Sequence, residues 1–522
     1  MLEFLFSNPH NIAGDRKIYV DATDNSNYLT LDQVKSKILK ATAGLKREFG
    51  LKKGDVVAIC SPNHIDYPVL LHATVAAGGV VAAIDYEAHP DKIAEDLDTV
   101  QAKLIITHKD NLTNVLAGAN IFGMHESRII TFGNVSVHGL STVDDTILSK
   151  EEYAEPMTFT EDQLKNDPAY LYFTSGTTGR KKAVIMTQGG LLASMHVMED
   201  WDVYEINLLA YTEFHHASSL LIVLHLAIIF GYTCYVVSHY DIRTLCEAIE
   251  KYKIHVTATQ PYILAAFAKD RVAEEYDLSS LKLVVSAGAA LDNSVTLLAK
   301  ERLGLTVING YGMTEVLGLF NMTPELTLKN SLGTLAAGFE ARVVDEEGKD
   351  VPRGQMGELW IRGPTVTKGY YRNPEATASA IDADGFLHTG DLVTIDENNQ
   401  FYYVDRCKDM IKYRLTHIYP SEIENILFTH PKVADCAVIG VYNAELITEL
   451  PRAYVHLVDG EKHSQEVEQE LQKYCDSRLP DEKHLRGGVV IVDDFPRTAS
   501  GKIQRRLLRQ QANEEAKVSV VA

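Results

Sequence analysis

The stretch Thr174-Ser175-Gly176-Thr177-Thr178-Gly179-Arg180-Lys181-Lys182 sets four small hydroxyl side chains, two glycines and three consecutive cations between apolar runs. Glycines let backbone N–H groups converge on an anion, hydroxyls add donors, and lysines neutralise charge, so the chemistry points to phosphate. The spacing is not that of a P-loop: Gly176 and Gly179 are only three apart, and neither Lys181 nor Lys182 is followed by Ser or Thr. Alone, these residues equally describe a solvated turn between strands. Further along stand Thr314 and Glu315 in YGMTE, Asp391 in HTGD, Arg406 and Lys408 in DRCKD, and Lys502 in PRTASGK. An ionised carboxylate can accept from two hydroxyls at once. A lysine after a turn glycine can be delivered on a loop.

At 522 residues the chain needs more than one core. Its 46% hydrophobic and 23% charged residues describe a folded globular protein. A net charge of −21 argues against nonspecific nucleic-acid binding, which wants a basic field. The six cysteines form no C-x-x-C pair, so neither a zinc site nor a disulfide framework is implied. No signal peptide is read at the N-terminus and no Ser-Lys-Leu address at the C-terminus, and the expected location is cytoplasmic. Residues 218–237 carry no formal charge over 20 positions. Gly231-Tyr232-Thr233 interrupts them, so a buried helix running into a buried strand is expected, not a membrane span.

The elements that must position these residues follow a rhythm. Residues 28–110 and about 190–315 alternate amphipathic helices with short apolar strands, the pattern of parallel βαβ units and of two doubly wound α/β subdomains. From about 333 short strands and turns take over, implying a β-rich, barrel-like unit, and after Asp405 a compact α+β tail follows. The expected division is residues 1–404, a hinge at 405–409, and 410–522.

Taken in order, TSGTTGRKKA, YGMTE, HTGD, DRCKDMIK and PRTASGKIQR resemble the adenylate-forming superfamily of acyl-CoA synthetases, adenylation domains and beetle luciferases. The resemblance runs from about 28 to 509 and is strongest to the 4-coumarate/medium-chain acyl-CoA ligase branch. It implies attack of a carboxylate on the α-phosphate of ATP, release of pyrophosphate, and transfer of the acyl group to CoA. Thr174, Ser175, Gly176, Thr177, Thr178 and Gly179 would then wrap the β- and γ-phosphates beside Lys182, with Lys181 as a second nearby cation. Thr314 would meet the α-phosphate and Glu315 would hold Mg²⁺. Asp391 would take the ribose hydroxyls with Arg406 nearby. Gly288, Ala289, Ala290, Asn309, Tyr311 and Gly312 would frame the nucleotide. Lys502 would meet the carboxylate, and His215 would stand beside it. Ala217, Leu221, Gly310, Gly318 and Leu319 fall where related ligases shape the acyl pocket; being small or apolar, they favour an aromatic or medium-chain monocarboxylate. Lys408 would be the hinge between two orientations of the small domain.

The chain departs from the family pattern at Thr212, Lys181, Ala183, Gln188, Ala290 and Asn309, none of which removes a charged group. Arg414-Leu415-Thr416 stands where the family reads Lys-Gly-aromatic on the path of pantetheine. An acceptor other than CoA, such as an amine or a carrier protein, is therefore the alternative. Luciferase-like oxidation and a noncatalytic binder are the remaining readings.

Overall fold

The computed structural model describes residues 2–174, 180–196, 205–269, 271–289, 291, 293–414, 416–443, 446–458, 460–498 and 501–521. Two twisted sheets dominate. The first runs, in spatial order, Ile129–Thr131, Leu104–Thr107, Val56–Cys60, Val80–Ala83, Tyr170–Phe173, Ala183–Met186, all parallel except the last pair. The second runs Thr306–Gly310, Leu283–Ala287, Val256–Thr259, Asn207–Ala210, Thr233–Val236, Lys17–Asp21, Tyr28–Thr30, again parallel but for its last pair.

Period-two alternation decides the layers. Val57 and Ile59 face a core shared by both sheets, while Val56, Ala58 and Cys60 face helices Pro90–Val100 and Leu112–Phe122. Helices Leu31–Phe49 and Tyr67–Ala76 fill the shared core; Ile242–Tyr252, Pro261–Lys269 and Asn293–Leu303 cover the far side of the second sheet. Leu31–Phe49 is legible at both ends. Thr30 and Gln33 form a capping box, and Gly50 closes the helix at φ +61°.

The uncharged stretch does run helix into strand: Ala217–Leu221, a π-helical Ile222–Leu226, Ala227–Phe230, then strand Thr233–Val236. Side chains satisfy the carbonyls around the π turn. Tyr19 Oη donates to Val223 O (2.9 Å), His72 Nε2 to Leu224 O (2.8 Å) and His225 Nδ1 to Leu220 O (2.7 Å). Burial keeps both histidines neutral. Among the described residues no helix is long and apolar enough to cross a membrane.

An open antiparallel half-barrel follows, ordered Phe320–Asn321, Gly333–Leu335, Gln400–Arg406, Leu387–Ile395, Gly357–Arg362, Glu340–Val344. The last part carries a hairpin, Ile411–Tyr413 with Thr416–Ile418, and a sheet of Val433–Asn443, Thr448–Leu457 and Val489–Ile491 with helices Pro420–Phe428, Gln465–Asp476 and Arg505–Val521. Its two hydrophobic clusters draw only on residues from Ile411 onward.

Candidate active site

Tyr170–Phe173 and Ala183–Met186 pair antiparallel, and Thr174 with Lys182 closes the stem of the loop between them, Thr174 N donating to Lys182 O at 2.9 Å. Ser175, Gly176, Thr177, Thr178 and Gly179 lie outside the described residues. The three cations after them divide by role. Arg180 Nη2 donates to Glu95 O (2.7 Å) and Asp98 Oδ2 (2.6 Å). Lys181 reaches Asp96 (3.2 Å) and Asp85 (3.6 Å). Asp96 is 2% exposed, and burial pushes it up to about 6 despite Lys181. Both cations thus tie the loop to the first sheet's outer helix. Lys181 is committed there, so the expectation that it backs up Lys182 does not hold. Lys182 instead lies 4.4 Å from the centroid of the Tyr370 ring.

Tyr370 Oη donates to Glu315 Oε1 at 2.9 Å, so Lys182, Tyr370 and Glu315 form one wall. Nothing in the spacing of KGYYR marks Tyr370; its bridge to Val184 brings it in. Thr314 and Glu315 line a small cleft with Thr187, Ser194 and Thr365. Residues 287–289 and 309–312 leave the carboxyl ends of two neighbouring parallel strands, paired Ser286 with Asn309 and Ala287 with Gly310. That end of a parallel sheet is where ligands of such folds sit. Gly288 has φ +92° with open space beside it, and Ala289 and Gly312 are exposed there. Ala290 lies outside the described residues.

HTGD and DRCKD are two halves of one ladder, with Asp391 opposite Arg406. Asp391 is 5% exposed; it accepts from Tyr311 Oη at 2.7 Å and faces Arg406 Nε at 3.4 Å. Burial raises its pKa, opposed by Arg406, Tyr311 and Lys502. Lys502 enters the same space on a turn in which Gly501 has φ +74°. A Cβ on Gly501 would stand 2.6 Å from Tyr262 Cε1, so both conformation and contact demand glycine. Burial, with Arg406 nearby, pulls Lys502 down to about 8, while Asp391 and Glu315 work to keep it charged.

His215 is 5% exposed, and neither ring nitrogen has a hydrogen-bond partner among the described residues. Burial and the Lys181 charge pull it down to about 3, so it is a neutral imidazole. Ala217 and Leu221 lie in the shared core beside it, and Gly318 turns at φ +67° against Ser194. Leu319 is not brought to that wall. It is fully buried in the half-barrel core among Val316, Phe320 and Phe401. Lys408 lies between the ladder and the last part, its pKa lowered by burial and by Arg406. Arg414 is exposed at φ +53°, its N–H on Thr448 Oγ1 (2.6 Å), and Thr416 pairs with Tyr413. Leu415 lies outside the described residues.

A cleft at the ends of two parallel sheets, closed by a lysine-bearing turn from a separate α+β part, defines an α/β enzyme of the adenylate-forming kind. The chain belongs to the AMP-binding enzyme family: its model matches residues 9–371, and that of the AMP-binding enzyme C-terminal domain matches 422–502. The phenylacetyl-CoA ligase epaB of Aspergillus niger is 32% identical over 520 residues, 96% of this chain and 95% of the relative. A probable 4-coumarate–CoA ligase 3 of Dictyostelium discoideum is 30% identical, covering 92% and 90%. Among solved structures, the anthranilate CoA ligase AuaEII in complex with anthranoyl-AMP superposes with a TM-score of 0.88 at 24% identity, covering 99% and 98%. The chain is an adenylate-forming CoA ligase that uses ATP.

Proposed function

We propose that this enzyme activates an apolar monocarboxylate, aromatic or medium-chain, as its acyl adenylate and then forms the CoA thioester. The observation that carries the reading is that Lys502, from the last part of the chain, is buried where the charges of Asp391 and Glu315 act on it. Lys502 meets the attacking carboxylate and the charge that develops on the α-phosphate, where a desolvated cation acts strongly. Asp391 accepts from the ribose hydroxyls with Tyr311 and Arg406 steadying it. Thr314 bonds the α-phosphate, and Lys182 with the 174–179 loop positions the pyrophosphate that leaves.

Glu315 suits Mg²⁺. Its Oε1 is occupied by Tyr370, leaving the other oxygen for a hard cation, and no cluster of three or more metal-ligating side chains occurs among the described residues. Magnesium is commonly held by one or two carboxylates and the substrate's own phosphates, whose charge it neutralises when bound. Residues 1–404 and 410–522 act as two bodies joined at 405–409, with Lys408 as hinge. The separate hydrophobic clusters support this division. A cytoplasmic site of action completes the reading.

The test is a panel of carboxylic acids incubated with ATP and Mg²⁺, with and without CoA, products identified by mass spectrometry. Acyl-AMP without CoA and acyl-CoA with it are expected from aromatic or medium-chain acids. No acid-dependent ATP–pyrophosphate exchange with any member would overturn the reading.

A further inference from the structure

Glu213 precedes His215 by two positions in the loop after strand Asn207–Ala210. Its Oε2 is sealed from solvent and has no hydrogen-bond partner among the described residues; His216 Nε2 stands 3.9 Å away. The neighbouring charges are carboxylates: burial, with Glu87 and Asp85, pushes Glu213 up to about 7. Lys181 is already engaged by Asp85 and Asp96. His215, nine-tenths buried between the rings of Tyr86 (5.8 Å) and His216 (4.3 Å), likewise has both nitrogens unbonded. Unsatisfied buried acceptors are rare in native proteins, and each calls for an explanation. Here Glu213 Oε2 and the His215 imidazole bring such groups together in one loop. The loop that carries Glu213 leaves the same carboxyl end of the second sheet as residues 287–289, because Asn207–Ala210, Val256–Thr259 and Leu283–Ala287 run parallel in that order, and Tyr262, the ring that Gly501 packs against, follows the middle strand at that end. Glu213 therefore stands at the end of the sheet where ligands of such folds bind, the end the Lys502 turn approaches through Tyr262.

We propose that Glu213, with neutral His215 beside it, receives the N–H donors of an amine or ammonium group on a reactant of the adenylation site. The inference rests on the ligase reading above and narrows its substrate class: an apolar body with an amine. That group has two sources. It can belong to the acid itself, Glu213 then fixing the acid's orientation through a charge-assisted bond. Or it can belong to an acceptor that takes the acyl group in place of the thiol. In that step the amine lone pair attacks the acyl-adenylate carbonyl carbon and the C–N bond forms. The C–O bond to phosphate breaks, AMP leaves with that electron pair, and a proton passes from nitrogen to the Glu213 carboxylate.

The experiment uses the full chain, Glu213→Leu and Glu213→Gln. In one arm, 3-phenylpropanoates bearing an aminomethyl or an ethyl group at each ring position are compared by calorimetric binding and by ATP–pyrophosphate exchange. In the other, unsubstituted 3-phenylpropanoate, ATP and benzylamine are incubated without CoA and amide is sought by mass spectrometry. The expected result is a tenfold or greater preference for the amine-bearing acid, or amide formation, in the parent. Glu213→Leu should abolish it while exchange with unsubstituted 3-phenylpropanoate stays within threefold. Amine preference in neither arm, or a preference that survives Glu213→Leu, overturns the proposal. If Glu213→Leu fails to fold, Glu213→Gln decides: it keeps an oxygen that accepts N–H but carries no charge and takes no proton, so the preference should weaken at least threefold or amide formation stop, and an undiminished effect overturns the proposal. Absence of exchange with every acid would remove the ligase reading instead, and calorimetric preference for the amine-bearing acid would still decide the role of Glu213.

Discussion

Lys502 is a cation held in a place that disfavours cations. Burial lowers its pKa to about 8, so a growing fraction loses its proton as pH rises through that value. Only the protonated form can meet a carboxylate, so kcat/KM for pyrophosphate exchange should fall above about pH 8. In Lys502→Arg that descending limb should vanish, because guanidinium keeps its proton; a parent profile flat to pH 10 would refute this. Linkage has the opposite sign. The folded value lies below the unfolded one, so the closed arrangement gains stability as pH rises from about 8 through the ordinary lysine range. Asp391→Ala should lower exchange at least about a hundredfold, the scale of losing charge-assisted bonds to a substrate. Lys182→Ala should also be severe, since Lys181 is tied to Asp96 and cannot replace it. Exchange at parental rates in either variant would remove the corresponding assignment.

Two elements meet the site under constraint: the stem of the 174–182 loop and the turn that carries Lys502. Lys181 offsets the charge of the deeply buried Asp96, and breaking such a pair costs about 3–5 kcal/mol, because one charge is left without compensation. Lys181→Met should therefore lower Tm clearly, whereas Lys181→Met with Asp96→Leu should recover much of the loss. Equal Tm in the single and double variants would refute the pairing. Asp96 also has a pH signature. Its folded pKa of about 6 exceeds its unfolded value, so its contribution to stability falls as pH rises through that window. In the second element, Gly501→Ala brings both a strained φ and a clash with Tyr262. Adenylation should slow at least about tenfold, a barrier increase of about 1.4 kcal/mol, while supplied acyl-adenylate is still consumed. Equal loss of both half-reactions would count against this.

For the whole molecule, the proposed function has the Lys502 turn withdraw before a thiol attacks the acyl adenylate, so that the two half-reactions use two arrangements. Among the described residues, three contacts that would have to part stand near the Lys502 turn and the helix Pro261–Lys269. Lys269 Nζ donates to Val433 O at 2.8 Å, the Arg497 guanidinium lies 4.6 Å from the Tyr262 ring, and Gly501 sits on that ring. Close to the hinge, Asp405 Oδ2 accepts from Ser421 N (2.9 Å) and Asp409 lies 3.5 Å from Arg509. Rotation would alter only a handful of dihedrals at 405–409. Lys408→Pro fixes φ near −65° and should impair thioester formation more than pyrophosphate exchange. Leu415→Gly should speed CoA transfer without changing exchange if that side chain narrows the pantetheine path. Single-turnover assays on preformed acyl-adenylate measure both, and parallel losses in Lys408→Pro would remove the hinge.

What the sequence determined by itself was local and periodic. Alternating helix and strand patterns, capping boxes and turn glycines are written within a few residues of where they act. The parallel layers, the half-barrel and the α+β tail were therefore legible before any coordinates. The motifs that the proposed function assigns to the nucleotide were visible too, because glycine-rich turns and ordered motifs keep their spacing along the chain. Only tertiary structure decided which cation serves which partner. Arg180, Lys181 and Lys182 are consecutive and chemically alike, yet two turn to the helix at 90–100 and one to Tyr370. No spacing rule could find Tyr370, whose partners Glu315 and Val184 lie 55 residues away or more, and none marks Glu213, whose lack of a hydrogen-bond partner at Oε2 shows only once the loop is buried. Nor could it reveal that Leu319 fills the half-barrel core. Burial and partner choice depend on chain segments meeting in space, and the pKa values of Lys502, Asp96 and Glu213 are consequences of that meeting.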